Sequence, residues 1–298
     1  MAAGQPFWGA WDRTRVKEIA KKAVEKTIDQ TVGKSIEKSI DSSKDEKPMS
    51  VSTEGKRKEG GLAEGGRVVF HALIIALVIR TLLFQPFNIP SGSMKATLLI
   101  GDYLFVSKYS YGYSHYSLPL SPPLFSGRIF GSMPERGDVV VFRLPKDDST
   151  DYIKRVIGLP GDRIQMIDGL LHINGVPVKR ERVADFLDDD NGVVERVRRW
   201  RETLPNGVTY ETLDLLDSGS LDNTEEYVVP PGHYFMMGDN RDNSADSRVP
   251  SAVGYVPFEN LIGKAQIVFF SIGDGEPAWH IWSWPWSVRW SRLFTIVR

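Results

Sequence analysis

The 298-residue chain contains no cysteine. Disulfides, thiolate metal sites and a cysteine nucleophile are therefore excluded, while an oxidising compartment stays open because a chain of this length needs no covalent staples. Net charge is just as scarce: 37 Lys and Arg stand against 38 Asp and Glu, a formal −1. Nucleic acid normally requires a basic face or stripe, so no nucleic-acid partner is expected. Histidine, the usual proton acceptor for a hydroxyl nucleophile, occurs five times. His71 lies in an apolar run, His115 in a Tyr-rich segment, His172 at an alternating strand position, His233 after Pro230-Pro231-Gly232 and His280 in a Trp-rich tail. None carries an obvious orienting-carboxylate motif, although a triad assembled in space stays open. What remains is ordinary for a folded protein, 41% hydrophobic and 25% charged, enough for one large or two modest domains with a core.

Residues 1–66 read as a polar tail and linker. Apolar positions recur at roughly helical spacing between Lys17 and Ile40, compatible with a surface helix; a solvated, partly helical tail is favoured over a membrane-surface or partner-binding helix, because the face is short of large side chains. From Ser42 to Gly66 the Ser, Lys, Glu and Gly content is too polar to offset ordering entropy. Long apolar runs are also few, and Val68 to Phe84 is the strongest. Its 17 residues span about 26 Å as a helix, close to a bilayer core, so residues 67–85 are assigned as a single transmembrane anchor; a buried core helix is the alternative. Lys56, Arg57, Lys58 and Arg67 precede the run and Lys95 is the sole cation in the 20 residues after it, which places the N-terminus in the cytoplasm and residues 86–298 outside. A cleavable leader is disfavoured, because Gln85-Pro86-Phe87-Asn88-Ile89-Pro90 follows instead of an A-x-A pattern.

Strand signals recur beyond Phe84, among them Tyr103 to Val106, Val139 to Phe142, Tyr152-Ile153, Ile164 to Ile167, Leu171 to Ile173, Tyr227 to Val229, Tyr234 to Met236 and Ile267 to Phe270. Asp168-Gly169 between two of them has tight-hairpin chemistry. The expected fold is mainly β, an antiparallel catalytic domain. Residues 181–226 hold 13 acidic against 5 basic residues and few strand-like runs, which suggests an inserted subdomain or extended hairpin.

Pro90-Ser91-Gly92-Ser93-Met94 presents a serine among small neighbours, a pattern that also occurs in ordinary loops whose hydroxyls satisfy local backbone groups. A hydroxyl is a poor nucleophile until a base takes its proton. Lysine is the other option, and Lys154 in Tyr152-Ile153-Lys154-Arg155-Val156 is set among strand-forming apolar residues; an edge-strand lysine facing water is the alternative reading of it. A free lysine of pKa about 10.4 is almost wholly protonated near neutrality, so service as a base requires burial. A third cluster, Met237-Gly238-Asp239-Asn240-Arg241-Asp242-Asn243-Ser244-Ala245-Asp246-Ser247-Arg248, packs turn formers and alternating charges. It reads as a structural loop or, with its oxygen donors, as a calcium loop, but the central Gly and terminal Glu of an EF-hand are missing.

In order and spacing, Pro90–Met94, Arg136-Gly137-Asp138-Val139-Val140, Tyr152–Asp162 and Gly238–Arg248 resemble the sequence boxes of bacterial type I signal peptidases, the S26 family of Ser/Lys proteases. The resemblance runs from about Phe84 to Phe270 and leaves out the tail and the insert. Ala96 departs from it, since the family usually has proline two residues after the methionine, which bears on local rigidity. The resemblance implies a membrane-bound serine endopeptidase that removes signal peptides from secretory preproteins, with Ser93 as nucleophile, Lys154 as base, and Ser91 with the Ser93 N–H as oxyanion hole. It further implies that Ser244 orients Lys154, that Asp246 and Arg248 form a supporting ion pair, and that Asp239, Asn240 and Arg155 support the site. Phe87, Ile89, Met94, Leu98, Tyr152 and Ile153 would line pockets for small side chains one and three residues before the cut. No metal and no cofactor are expected. Membrane lipid is a further partner, which the five tryptophans of Trp279–Trp290 would suit; a Trp-rich core flap is the alternative for that tail. Two other functions remain, a conjugative-transfer processing peptidase and a catalytically silent anchored module that holds signal peptides. The implied location is the bacterial inner membrane, single-pass, with a periplasmic catalytic domain.

Overall fold

The computed structural model describes residues 61–119, 121–190, 193–273 and 276–298. The segment of helical spacing between Lys17 and Ile40 lies outside them, as does the linker up to residue 60. The first described element, α1, spans Gly61–Leu82, and its 22 residues make about 33 Å of helix, enough for a hydrocarbon core. None of its Gly65–Leu82 stretch is buried against the rest of the protein. A core helix would have packed, so the core-helix alternative loses its footing. The bounds differ from the expected 67–85. The helix starts earlier, and it ends at Leu82 because Pro86 disfavours helical geometry at Gln85 and Phe84 already pairs with Ser107 in a sheet.

Strands follow in the order β1 (Phe84–Asn88), β2 (Asp102–Ser107), β3 (Val139–Arg143), β4 (Asp151–Gly158), β5 (Arg163–Ile167), β6 (Leu170–Ile173), β7 (Val176–Pro177) and β8 (Lys179–Arg182). Then come β9 (Phe186–Asp190), β10 (Val193–Thr203), β11 (Thr209–Asp214), β12 (Tyr227–Val228), β13 (His233–Met237), β14 (Val256–Pro257), β15 (Leu261–Ser271), the short helix α2 (Trp284–Ser287) and β16 (Thr295–Ile296). The main sheet has the order β1-β2-β15-β3-β4-β13-β14, with β16 also on β15. A smaller sheet, β12-β5-β6-β7, carries the expected hairpin: Asp168 and Gly169 sit at φ 48° and 71°, the left-handed geometry of a two-residue turn.

The run Val139–Phe142 shows why the chain folds this way. Val139 and Val141 enter one core cluster with Ile89, Met94, Leu98, Leu104 and Val268, whereas Val140 and Phe142 enter another with Val156, Tyr234 and Met236. Both faces of β3 are covered, so the strand is apolar throughout and does not alternate. Each such side chain contributes about 1.5–3 kcal/mol by leaving water.

The 181–226 region departs from the expectation of few strands. β8, β9, β10 and β11 form a sheet of their own, with β10 central and 11 residues long. Its strands show no apolar alternation because they are written in charged residues. Arg198 pairs with Asp214, Arg199 with Glu211 and Arg180 with Asp214, and Arg180 lies over the Trp200 ring. Cross-strand ion pairs and stacking replace the apolar alternation that marks other strands. In the C-terminal tail Trp279, Trp282, Trp286 and Trp290 are exposed, and only Trp284 packs inward, on Phe270. Most of these indoles are therefore not a core flap.

Candidate active site

Ser93 sits in a single 3-10 turn, Gly92–Met94, on the connection from β1 to β2. Met94 and Leu98 behind it have no exposed surface and anchor the turn in the core cluster under β3. From the other side Asn240 holds the loop: its backbone N–H donates to Ser93 O at 3.1 Å and its Nδ2 to Gly92 O at 3.1 Å. Ser91 precedes the turn and makes no side-chain cap bond. Its hydroxyl lies 3.5 Å from Ser93 Oγ, too far for a strong bond.

Lys154 is at the middle of β4, in register with Val140 on β3, and is buried to 3% exposure. Its Nζ stands 2.7 Å from Ser93 Oγ and donates to Ile153 O at 3.0 Å. Burial lowers its pKa from 10.5 to about 8, against the opposing pull of the Asp246 and Asp239 carboxylates. At that value roughly one lysine in ten is neutral at pH 7. Lys108 provides the control. Burial, aided by Arg80, brings it also to about 8, yet its Nζ donates to the Ser117 carbonyl and not to a hydroxyl. Geometry, not the pKa, distinguishes Lys154.

The third sequence cluster closes the site. Arg155 Nε and Nη2 grip both oxygens of Asp239 at 2.9 and 2.6 Å, and both side chains are buried. Thr97 Oγ1 donates to the same carboxylate at 2.5 Å, and the Arg155 guanidinium lies 4.2 Å from the Tyr210 ring centroid. Arg248 meets Asp246 through Nε and Nη2, each at 2.9 Å, and the Gly238 N–H donates to Asp246 at 3.0 Å. Burial would raise the Asp246 pKa, but the guanidinium prevails and holds it below the usual range. Of the oxygen donors of the calcium-loop alternative, Asp239 and Asp246 are thus engaged by arginines, and Asp242 accepts from the Leu215 and Leu216 N–H groups.

Ser244 is placed differently from expectation. The bonds of Lys154 go to Ser93 and Ile153, and Ser244 is not a partner. Its side chain turns onto Gly238, whose missing Cβ makes room for it: a Cβ there would lie 2.2 Å from Ser244 Oγ and 2.6 Å from Ser93 O. The backbone contact cannot yield as a flexible side chain can. Gly238→Ala is predicted to displace Ser93 and lower kcat on the order of 100-fold while the purified variant still melts cooperatively; wild-type turnover would show that this contact does not set the serine's position.

A cleft of about 410 Å³ opens on the pair, lined by Phe87, Ile89, Ser91, Ser93, Tyr152, Ile153 and Lys154. Met94 and Leu98 are not in its wall, because the core behind the turn claims them. Val141, Thr150, Asp151, Asn243 and Ala245 line the cleft as well and were not anticipated. Val141 enters through its register with Ile153, a relation no local pattern reveals. Asn243 and Ala245 flank Ser244 within the cluster already singled out, so alternation along it was the usable signal.

Fold and site together define a mainly antiparallel β protein with a buried serine–lysine pair at the floor of a peptide-sized cleft. The profile of the family described as signal peptidase, peptidase S26, matches residues 62–270, and the chain belongs to this family, that of the bacterial type I signal peptidases. Among its relatives, Signal peptidase I of Rickettsia typhi (strain ATCC VR-144 / Wilmington) is 48% identical over 239 residues, covering 74% of this chain and 89% of that one. Signal peptidase I of Rickettsia canadensis (strain McKiel) is 47% identical over 263 residues, 83% of this chain and 97% of the other. A crystal structure of a signal peptidase I from Enterococcus faecalis V583 aligns with a TM-score of 0.26 and 25% identity over 45% of this chain and 97% of that one.

Proposed function

We propose that this signal peptidase removes N-terminal signal peptides from secretory preproteins by attack of Ser93, with Lys154 as general base. The observation that carries the reading is the 2.7 Å approach of a buried lysine amine to the Ser93 hydroxyl. The neutral amine takes the Ser93 proton as Oγ attacks the scissile carbonyl carbon. The Ser93 N–H, at the open start of its turn, and the Ser91 hydroxyl donate to the oxyanion, where one such donor is worth about 3 kcal/mol. The Lys154 ammonium then protonates the leaving amine, and the signal peptide stays as an ester on Ser93. Water, losing its proton to Lys154, attacks that ester and releases the carboxylate. A silent binding module would have no use for a partly neutral lysine against a hydroxyl. Phe87, Ile89, Val141 and Ile153 make the cleft shallow and apolar, suited to small side chains before the cut, and edge strand β1 offers backbone groups to an extended peptide. The test is incubation of the detergent-solubilised protein with a preprotein and sequencing of the new N-terminus; cleavage elsewhere than after a small-x-small segment would remove the reading.

The sign of the pH dependence follows from the direction of the lysine shift. Only the amine accepts the proton, so kcat/KM for a signal-peptide substrate is predicted to rise with pH through a midpoint near 8 and to level off above it, unaffected by chelators. A midpoint near the histidine value of about 6.5, or loss of activity with EDTA, would point to another base or to a metal.

We further propose that α1 spans the bacterial inner membrane with the N-terminus inside and the catalytic domain in the periplasm. Supporting this are the cation bias before the helix and the exposed tryptophans of the tail, a residue type suited to lipid headgroups. Protease added to spheroplasts is expected to digest the chain after about residue 85 and to spare a tag at residue 1; the reverse pattern would invert the topology.

A further inference from the structure

The subdomain formed by β8–β11 has no counterpart in the chemistry described so far, yet it touches the loop that carries Ser93 from two sides. On one side Asp188, in β9, accepts two hydrogen bonds from Lys95 Nζ, at 2.7 and 2.8 Å. Lys95 is two residues beyond Ser93, is buried, and ends its turn by donating N–H to Gly92 O at 3.1 Å. Its aliphatic stem lies against Gly92, where an added Cβ would meet Cε at 3.3 Å. On the other side Leu213, in β11, bridges the loop that holds Ser93. Its N–H donates to Asp239 O and its carbonyl accepts from the Arg241 N–H, both at 2.9 Å. Between those bonds stands Asn240, which fixes the carbonyls of Ser93 and Gly92.

A buried polar group locks the second contact. Arg241 Nη2 donates to Glu202 Oε2 at 2.6 Å and to Tyr210 OH at 3.0 Å, and the Tyr210 hydroxyl donates to Glu202 at 2.7 Å. Glu202 and Tyr210 come from β10 and β11, Arg241 from the catalytic loop. An ion pair this deep is weak evidence of added stability, since desolvation offsets attraction, but it specifies one arrangement of the parts it joins. The direction is consistent: every one of these contacts ends on residues 92–95 or on the Asn240 segment that holds them.

We propose that the β8–β11 subdomain is a clamp that positions the nucleophile, with Asp188, Glu202 and Tyr210 as positioning residues for Ser93. This deepens the reading of Ser93 as nucleophile and rests on it. None of the three touches the cleft, so their loss displaces the serine and does not remove a substrate contact. The expected signature is a fall in kcat with KM unchanged, because only the alignment of Oγ with Lys154 and the scissile carbonyl is disturbed.

The test uses the full-length protein in detergent and a signal-peptide substrate, with kcat and KM measured for Asp188→Asn, Tyr210→Phe, the reversed pair Lys95→Asp with Asp188→Lys, and Ser93→Ala. Asp188→Asn and Tyr210→Phe are each expected to lower kcat about 10-fold, a shift of roughly 1.4 kcal/mol in the barrier, with KM within about twofold. The reversed pair is expected to recover most of what Asp188→Asn loses, since it restores the charge complement across the same gap, and the pH midpoint is expected to stay in place. Both single variants keep their side-chain shape, and Asp188 is partly exposed near a hairpin end, so both are expected to stay folded and melt cooperatively, somewhat below the parent because each leaves a buried polar group with fewer partners. Wild-type kcat in both variants would overturn the clamp, as would a loss confined to KM or a reversed pair no better than Asp188→Asn. Ser93→Ala separates the two levels: if it retains activity the nucleophile reading fails, and if it is inert while Asp188→Asn and Tyr210→Phe are unimpaired only the clamp fails.

Discussion

Replacing Lys154 by methionine is expected to abolish processing while leaving a protein more stable than the parent. Loss of the base, like Ser93→Ala, removes one half of a unit in which neither half works alone, so turnover is expected to fall by on the order of 10⁴ or more. Stability moves the other way because Lys154 is buried to 3% exposure and its charge is desolvated. The ammonium penalty implied by a shift from 10.5 to about 8 is a few kcal/mol, of which about 1–3 kcal/mol is expected to return when an apolar side chain fills the space. The pH dependence has a definite sign. Below about 8 the lysine is charged in both folded and unfolded protein and its penalty is constant. Between about 8 and 10.5 the folded protein has released a proton that the unfolded chain keeps, so the parent gains stability with rising pH and the gap to Lys154→Met narrows. Denaturant titrations at pH 7 and pH 10 check this. An inert Lys154→Met that is also markedly destabilised would mean the lysine holds the fold, and the inactivity would then not identify the base.

Asp239→Ala is expected to cost about 3–5 kcal/mol of stability, because it strands the Arg155 guanidinium with a charge that water cannot reach. Arg155 has no exposed surface, and its remaining partners are the Gly137 and Arg298 carbonyls and Thr97. Changing both residues, Asp239→Leu with Arg155→Met, is expected to recover part of the loss, since two apolar groups leave no orphaned charge. Asp239 also raises the Lys154 pKa. In the milder Asp239→Asn, if enough protein folds to assay, the rising limb of the pH profile is therefore expected to move to lower pH. A melting temperature unchanged in Asp239→Ala would show that the pair is not the structural tie its geometry describes.

Much of the site is legible in the sequence once its segments are taken together. A serine among small neighbours and a lysine inside an apolar strand pattern are each weak signals in a few adjacent residues; Ser93 and Lys154 become candidates together only through the resemblance of four segments, in order and spacing, to the S26 boxes. The apolar helix is legible by itself, as its solvent is uniform along its length. Its ends were not, since Phe84 is apolar enough to extend the helix and only its pairing with Ser107 on β2 draws it into a strand.

The sequence by itself determined the mainly β class, the apolar helix after residue 67 and the hairpin at Asp168-Gly169, while the pairing of Ser93 with Lys154 was implied by the family resemblance. Tertiary structure alone decided the rest. Met94 and Leu98 belong to the core and not to the cleft because that core fills the space behind the Ser93 turn. Ser244 rests on Gly238 and leaves Lys154 to Ile153 and Ser93 because an absent Cβ opens that path. The β8–β11 strands are charged, so no apolar period announces them, and their arginines find carboxylates only after β10 has been laid between β8 and β11. Local chemistry sets which groups are able to react, and long-range packing sets which of them meet and how far burial shifts their protons.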